Sequence, residues 1–216
     1  METTDQDCRV FDDKSIEKIR KRRIVTDKEC ERDLKGILSQ IFIAANQGID
    51  KYNTFRLFYK QNAKVRGFDA SMLNSSIIEG LQETFPDNCK WGKYKRFILR
   101  TKAYTLLVKK LAKDGLPMNV KTKNSEKITN QMQTSLFNNS NFKEVEDPII
   151  FIGYEVDKLG EVCNLRLVYI DEGKLKWEIT QDQIFKSRAM ELPSRVVEEN
   201  ETLVSLKNKE SNKDVI

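Results

Sequence analysis

The feature that most limits the fold is the stretch 148–179, where three runs rich in Ile, Val, Phe, Tyr and Trp follow one another across two short turns. The runs are PIIFIGYEV (148–156), EVCNLRLVYI (161–170) and KLKWEI (174–179), separated by Asp157-Lys-Leu-Gly160 and Asp171-Glu-Gly173. β-Branched and aromatic residues suit a pleated, half-buried surface, and turns this short join antiparallel neighbours, so the stretch predicts a three-stranded meander. On the second run Cys163, Leu165, Leu167 and Tyr169 share one face. On the third Leu175, Trp177 and Ile179 do, with Lys174, Lys176 and Glu178 on the other. The first run is apolar on both faces, which predicts a central strand covered by helices on at least one side.

The chain ahead of this meander reads as helical. Thr26 and Glu29 have the spacing of a capping box, in which each side chain satisfies the other residue's backbone N–H. Leu34, Ile37, Leu38, Ile41 and Ala45 follow at helical intervals, and Gly48 is read as the stop. Asp50 then caps a second helix over 51–62, carrying Tyr52, Phe55, Phe58 and Tyr59 on one face, and Asp69 caps a third over 70–85, ended by Pro86. Further on, 118–123 reads as an edge strand guarded by lysines, 126–137 as a helix anchored on Ile128, Met132 and Leu136, and Thr180 to Gln183 as a second capping box opening a helix to about 190.

Between the two halves lies Trp91–Lys113, WGKYKRFILRTKAYTLLVKKLAK. On a wheel of about 100° per residue Phe97, Thr101, Tyr104, Val108, Leu111 and Ala112 share a face, which predicts a helix over 93–113. Lys95, Lys102, Lys109 and Lys113 line up on another face of that helix. The whole protein carries +5, yet 88–128 holds twelve Lys/Arg against Asp114 and Glu126, a local +10 that leaves −5 elsewhere. Such density exceeds what solubility requires and is the footprint of an anionic partner.

The expected fold class is α+β: four to five helices packed on a small, mainly antiparallel sheet of three to four strands. The expected organisation is a loose or short helical, charged segment over 1–26, one domain over 27–190, and a mobile charged tail over 191–216. No run of about 18 apolar residues occurs, and the acidic start lacks the apolar core of a secretory signal, so a cytoplasmic, non-membrane protein is expected. Cys8, Cys30, Cys89 and Cys163 are scattered without a C-x-x-C pair, which fits free thiols better than a disulfide frame or a zinc site.

The chain contains no histidine. That removes Ser-His-Asp and Cys-His catalysis and histidine-ligated zinc chemistry. No phosphate-cradling G-x-x-x-x-G-K-[ST] or G-x-G-x-x-G loop is present, and no cofactor or metal is expected. A magnesium nuclease could be drawn from Asp157 with Glu172-Gly-Lys174. The two carboxylates, however, fall in turns at opposite ends of one strand, about 20 Å or more apart and too far to share an ion. The leading expectation is a non-enzymatic nucleic-acid-binding protein. Lys95, Arg96, Arg100, Lys102, Lys109, Lys110, Lys113, Lys121 and Lys123 would supply phosphate contacts that are mostly independent of sequence. The alternative is an interaction or inhibitor module that docks the same basic face on an acidic protein.

Overall fold

A computed structural model of the chain describes residues 21–118, 121–132 and 145–191. In chain order the elements are β1 (Lys21–Arg22), α1 (Asp27–Asp33), α2 (Ile37–Arg56), α3 (Phe68–Thr84), β2 (Cys89–Gly92), β3 (Arg96–Thr101), β4 (Tyr104–Lys110), α4 (Lys123–Thr129), β5 (Val145–Glu146), β6 (Ile149–Val156), β7 (Val162–Asp171), β8 (Lys174–Thr180) and α5 (Gln181–Glu191). Six strands form one sheet in the order β2-β3-β4-β6-β7-β8, while β1 pairs with β5 in parallel as a separate two-stranded piece. None of the described helices is long and apolar enough to cross a membrane.

The meander is present as β6, β7 and β8, antiparallel throughout. The helix expected over 93–113 is not. That stretch supplies β3 and β4, and β2 pairs with β3, so the sheet doubles in size. The small antiparallel sheet is therefore corrected to a six-stranded mixed sheet, because β4 lies parallel to β6, with Thr105 opposite Ile149 and Lys110 opposite Tyr154. Two facts hid the hairpin. Both faces of β3 and β4 are covered, so the strands bury residues of both parities and lose the period-two signal. The turn between them is Lys102-Ala103, with φ of 44° and 63°. Positive φ at both central residues is the two-residue hairpin geometry usually marked by Asn-Gly, and here no such mark exists.

The first face of the sheet carries α1, α2, α3 and α5 over the main core, which holds Leu34, Ile41, Phe42, Ile77, Leu81, Leu99, Leu106, Ile152 and Leu167. Both expected capping boxes form. Glu29 N donates to Thr26 Oγ1 (3.3 Å) with the return bond at 2.9 Å, and Thr180 N donates to Gln183 Oε1 (2.8 Å). The two helices expected over 27–47 and 51–62 are divided differently. A break at left-handed Gly36 separates α1 from α2, which runs unbroken through Gly48. Gly48 is not a stop but a crossing point, since a Cβ there would lie 2.6 Å from Ile77 Cα, and one at Gly80 would lie 3.2 Å from Gly48 N.

The second face is covered by the crossover that parallel pairing of β4 and β6 demands. Its smaller core holds Ile98, Leu107, Leu111, Ile128, Phe151 and Val168. After β4 the chain folds back, with Leu111 bridging to Pro117 and Met118 N donating to Lys110 O (2.9 Å). Of the expected edge strand 118–123, the described residues Thr122 and Lys123 instead cap and open α4. The helix expected over 126–137 ends at Thr129. Gln131 turns left-handed (φ 57°), Ile128 is buried, and Met132 is exposed. The buried Gln131 side chain clamps this crossover to the sheet. Its Nε2 donates to Ile149 O (3.0 Å) and Ile170 O (2.6 Å), and its Oε1 accepts from Ile149 N (2.7 Å). Residues 1–20, 119–120, 133–144 and 192–216, including two positions of the expected edge strand, Leu136 and almost all of the two terminal segments named above, lie outside the described residues.

Alanine normally gains about 1 kcal/mol over glycine inside a helix. At Gly48 and Gly80 the obstacle is neighbouring backbone, which cannot rotate aside. Gly48→Ala and Gly80→Ala are each expected to lose about 1–3 kcal/mol net, read as lower urea midpoints with an unchanged slope. A rise in midpoint would show that α2 and α3 do not cross this closely.

Candidate anion-binding site

Successive side chains on β3 and β4 point to opposite faces. Phe97, Leu99, Tyr104, Leu106 and Val108 enter the main core, while Ile98 and Leu107 enter the smaller one. Arg96 and Lys109 fall in step with Ile98 and Leu107, under the crossover. Counting back along the hairpin from Leu99 opposite Leu106 brings Arg96 level with Lys109. Like charges directly opposite on a sheet repel, at about 5 Å between Cβ atoms.

These two cations line a cavity of about 170 Å³ between the sheet and α4. Its apolar walls are Leu107, Phe151 and Ile128, and its remaining lining is Thr122, Ser125 and Thr129. Both cations are half-buried, and among the described residues neither has an ion pair. The Nη1 atom of Arg96 is buried with no hydrogen-bond partner among them. Burial pushes the Lys109 ammonium below the ordinary lysine value, and the charge of Arg96 pushes it further the same way. Burial alone lowers Arg96. Other half-buried cations on this face and elsewhere are matched by carboxylates, with Lys110 on the opposite face the exception: Arg100 by Asp147, Arg166 by Glu155 (2.5 Å) and Glu178 (3.4 Å), Arg23 by Asp33 (3.0 Å), and Arg56 by Glu161. On this face of the sheet the contrast leaves Arg96 and Lys109 as a partly desolvated pair of like charges with no carboxylate among the described residues.

The hydroxyls shape the rim more than they serve as donors. Thr122 and Ser125 form the capping box of α4, with Ser125 N donating to Thr122 Oγ1 (3.1 Å) and Thr122 N to Ser125 Oγ (2.8 Å). The Ser125 hydroxyl donates to Thr122 O (2.9 Å) and that of Thr129 to Ser125 O (3.1 Å). The donors left for an anion are the guanidinium and the ammonium, acting against apolar walls where screening is weak.

The structure gathers some of the nine expected residues and scatters the rest. Lys95 adjoins Arg96, and Lys121 and Lys123 flank Thr122, all three exposed around the Arg96–Lys109 pair. Arg100 is bound to Asp147, its Nε donating at 2.8 Å. Lys102 sits in the β3–β4 turn, about 23 Å of strand away from Lys109. Lys113 is exposed in the fold-back after β4. The lysine row Lys95–Lys102–Lys109–Lys113 was a product of the helical wheel and does not exist. Lys110 points to the opposite face, where it lines a second cavity of about 560 Å³ with Tyr52, Tyr59, Phe68 and Tyr154. Of its lining residues Leu57, Val65 and Leu159 are 73–83% exposed, as is Phe58, which follows Leu57 in the chain.

Sequence reasoning missed Thr122, Ser125 and Thr129. The Thr122-x-x-Ser125 spacing is the available signal, and a helix placed over 126–137 starts too late to include it. The nuclease pattern fares no better in three dimensions. Asp157 Oδ1 accepts from Leu159 N and Glu161 N (both 2.8 Å) in one turn of the meander, and Glu172 (φ 53°) forms the other, with ten-residue β7 between them. The Cys30 thiol is buried and pushed up to about 12, which suits packing and not nucleophilic attack. No protein-family model, curated protein or solved structure matches the chain.

A lysine held below its unfolded value destabilises the fold wherever it stays charged. The penalty is complete below the folded value and fades as pH rises towards the unfolded one, near 10.5. Lys109→Met is therefore expected to raise the urea midpoint at neutral pH, with the advantage shrinking above pH 9–10. A variant less stable than the parent at pH 7 would show that Lys109 has a stabilising partner.

Proposed function

We propose that this protein binds nucleic acid through phosphate contacts made by the second face of its sheet, and that it does so as a binding protein without catalysis of its own. Arg96 and Lys109 form the centre, and Lys95, Lys121 and Lys123 form an exposed basic surround. The observation that carries the reading is the half-buried cation pair with no carboxylate among the described residues. Two desolvated like charges are costly to keep unless an anion completes them. The expected basic helix is replaced by a hairpin edge joined to the start of α4, so the contact is a compact patch and not a track along a helix.

A second reading, a protein partner, is favoured by the exposed apolar residues Leu57, Phe58, Val65 and Leu159 around the larger cavity. Contiguous exposed apolar surface of this kind marks interaction sites. It lies on the other face of the sheet, so the two readings are separable by mutation.

Titrating labelled single-stranded and duplex oligonucleotides against salt tests the first reading. Affinity is expected to fall log-linearly with salt, and replacing Arg96 and Lys109 by Gln and Met should flatten the slope by about 1 per contact removed. Lys102→Ala and Lys110→Ala should leave that slope unchanged. Absence of binding at about 50 mM salt would sink the nucleic-acid reading and promote the apolar surface.

A further inference from the structure

The geometry points to the Arg96–Lys109 cavity as a receptor for the terminal phosphate of a nucleic-acid strand, a phosphomonoester, in preference to a phosphodiester within the strand. This deepens the reading above and rests on it for the source of the phosphate.

Charge is the first argument. The cavity presents two cations and no anion among its lining residues. A phosphomonoester carries about −1.5 to −2 near neutral pH and matches both, whereas a diester carries one charge and leaves the pair half-compensated. Donor geometry is the second. A guanidinium can grip two oxygens in a planar fork while an ammonium takes a third as a point charge. Three free oxygens belong to a monoester, since a diester has only two that are not linked onward. Shape is the third. The site is a recess of about 170 Å³ walled by Leu107 and Phe151 from the sheet and Ile128 from α4. An end group can enter such a recess with a single chain leaving it, but an internal phosphate needs room for two. Exposed Lys95, Lys121 and Lys123 then lie where the diesters next to the terminus would emerge.

The titratable groups facing the bound phosphate are Arg96 from β3 and Lys109 from β4. The exposed charges on the neighbouring segments are Lys90 on β2, opposite Ile98, and Lys95, Lys121, Lys123, Glu126 and Lys127. Since the chain has no histidine, a binding transition near pH 6 belongs to the second ionisation of the ligand. Affinity for a phosphorylated end should therefore rise between about pH 5 and 7 as the dianion forms, and affinity for a hydroxyl end should not.

The test uses the full chain and one single-stranded oligonucleotide in four forms: hydroxyl at both ends, 5′-phosphorylated, 3′-phosphorylated, and phosphorylated at both ends. Anisotropy at about 150 mM salt is expected to give at least tenfold tighter binding for a phosphorylated form, the worth of one well-placed charge-assisted contact. That preference should carry the pH 5–7 rise, be competed by inorganic phosphate, and vanish in Arg96→Gln and in Lys109→Gln. Equal affinity for all four forms would overturn the inference while leaving the nucleic-acid reading intact. Binding of inorganic phosphate with no binding of any oligonucleotide would keep the monoester site and overturn its nucleic-acid source. Binding of neither would overturn both. The comparison among ligand forms is made on the parent protein, so it stands even if a variant fails to fold.

Discussion

The parallel pairing of β4 with β6 is the constraint on which the rest depends. Antiparallel neighbours can be joined by two residues, but parallel ones need a crossover over one face of the sheet. Here the crossover occupies the face opposite the helices, and Gln131 fastens it through three hydrogen bonds to the backbones of β6 and β7. The fastening fixes α4 above β3 and β4. It turns what would be two ordinary outward-facing cations of an exposed sheet into a pair held in a recess. Without the crossover Arg96 and Lys109 would be solvated and unremarkable. Beneath it, their charge becomes chemically specific.

The same architecture explains why the sheet is larger than its most legible part. The meander was readable because Asp157–Gly160 and Asp171–Gly173 announce turns and because β8 alternates cleanly. Capping boxes at Thr26 and Thr180 were readable because they are local, needing only residues three apart. The hairpin was not. β3 and β4 are buried on both sides, and their turn obtains two positive φ values from Lys102 and Ala103 without glycine or asparagine. A helical wheel drawn over 93–113 found a face because apolar residues of either parity will populate some arc. Gly48 was read as a stop for a related reason: sequence shows that a side chain is absent, not which backbone fills the space.

For the site, sequence supplied the cations and missed the arrangement. Charge density alone named Arg96 and Lys109 among nine residues, because composition marks where cations are concentrated. It cannot show which of them acquire carboxylates, as Arg100 does from Asp147 forty-seven residues away. Pairing across such separations is a property of topology. The cations without carboxylates emerge only once the paired ones are removed. A desolvated like-charge pair is an inconsistency between local electrostatics and fold stability, and such inconsistencies concentrate where a protein binds something.

The central claim is that Lys109 sits beside Arg96 in a poorly solvated recess that an anion completes. Following the lysine Cε–Hε resonances by heteronuclear NMR across an alkaline titration, with and without inorganic phosphate, tests it directly. Lys109 is expected to titrate below the ordinary lysine value in the free protein and to move upward when phosphate is added. A Lys109 that titrates at the ordinary lysine value and ignores phosphate would contradict the account.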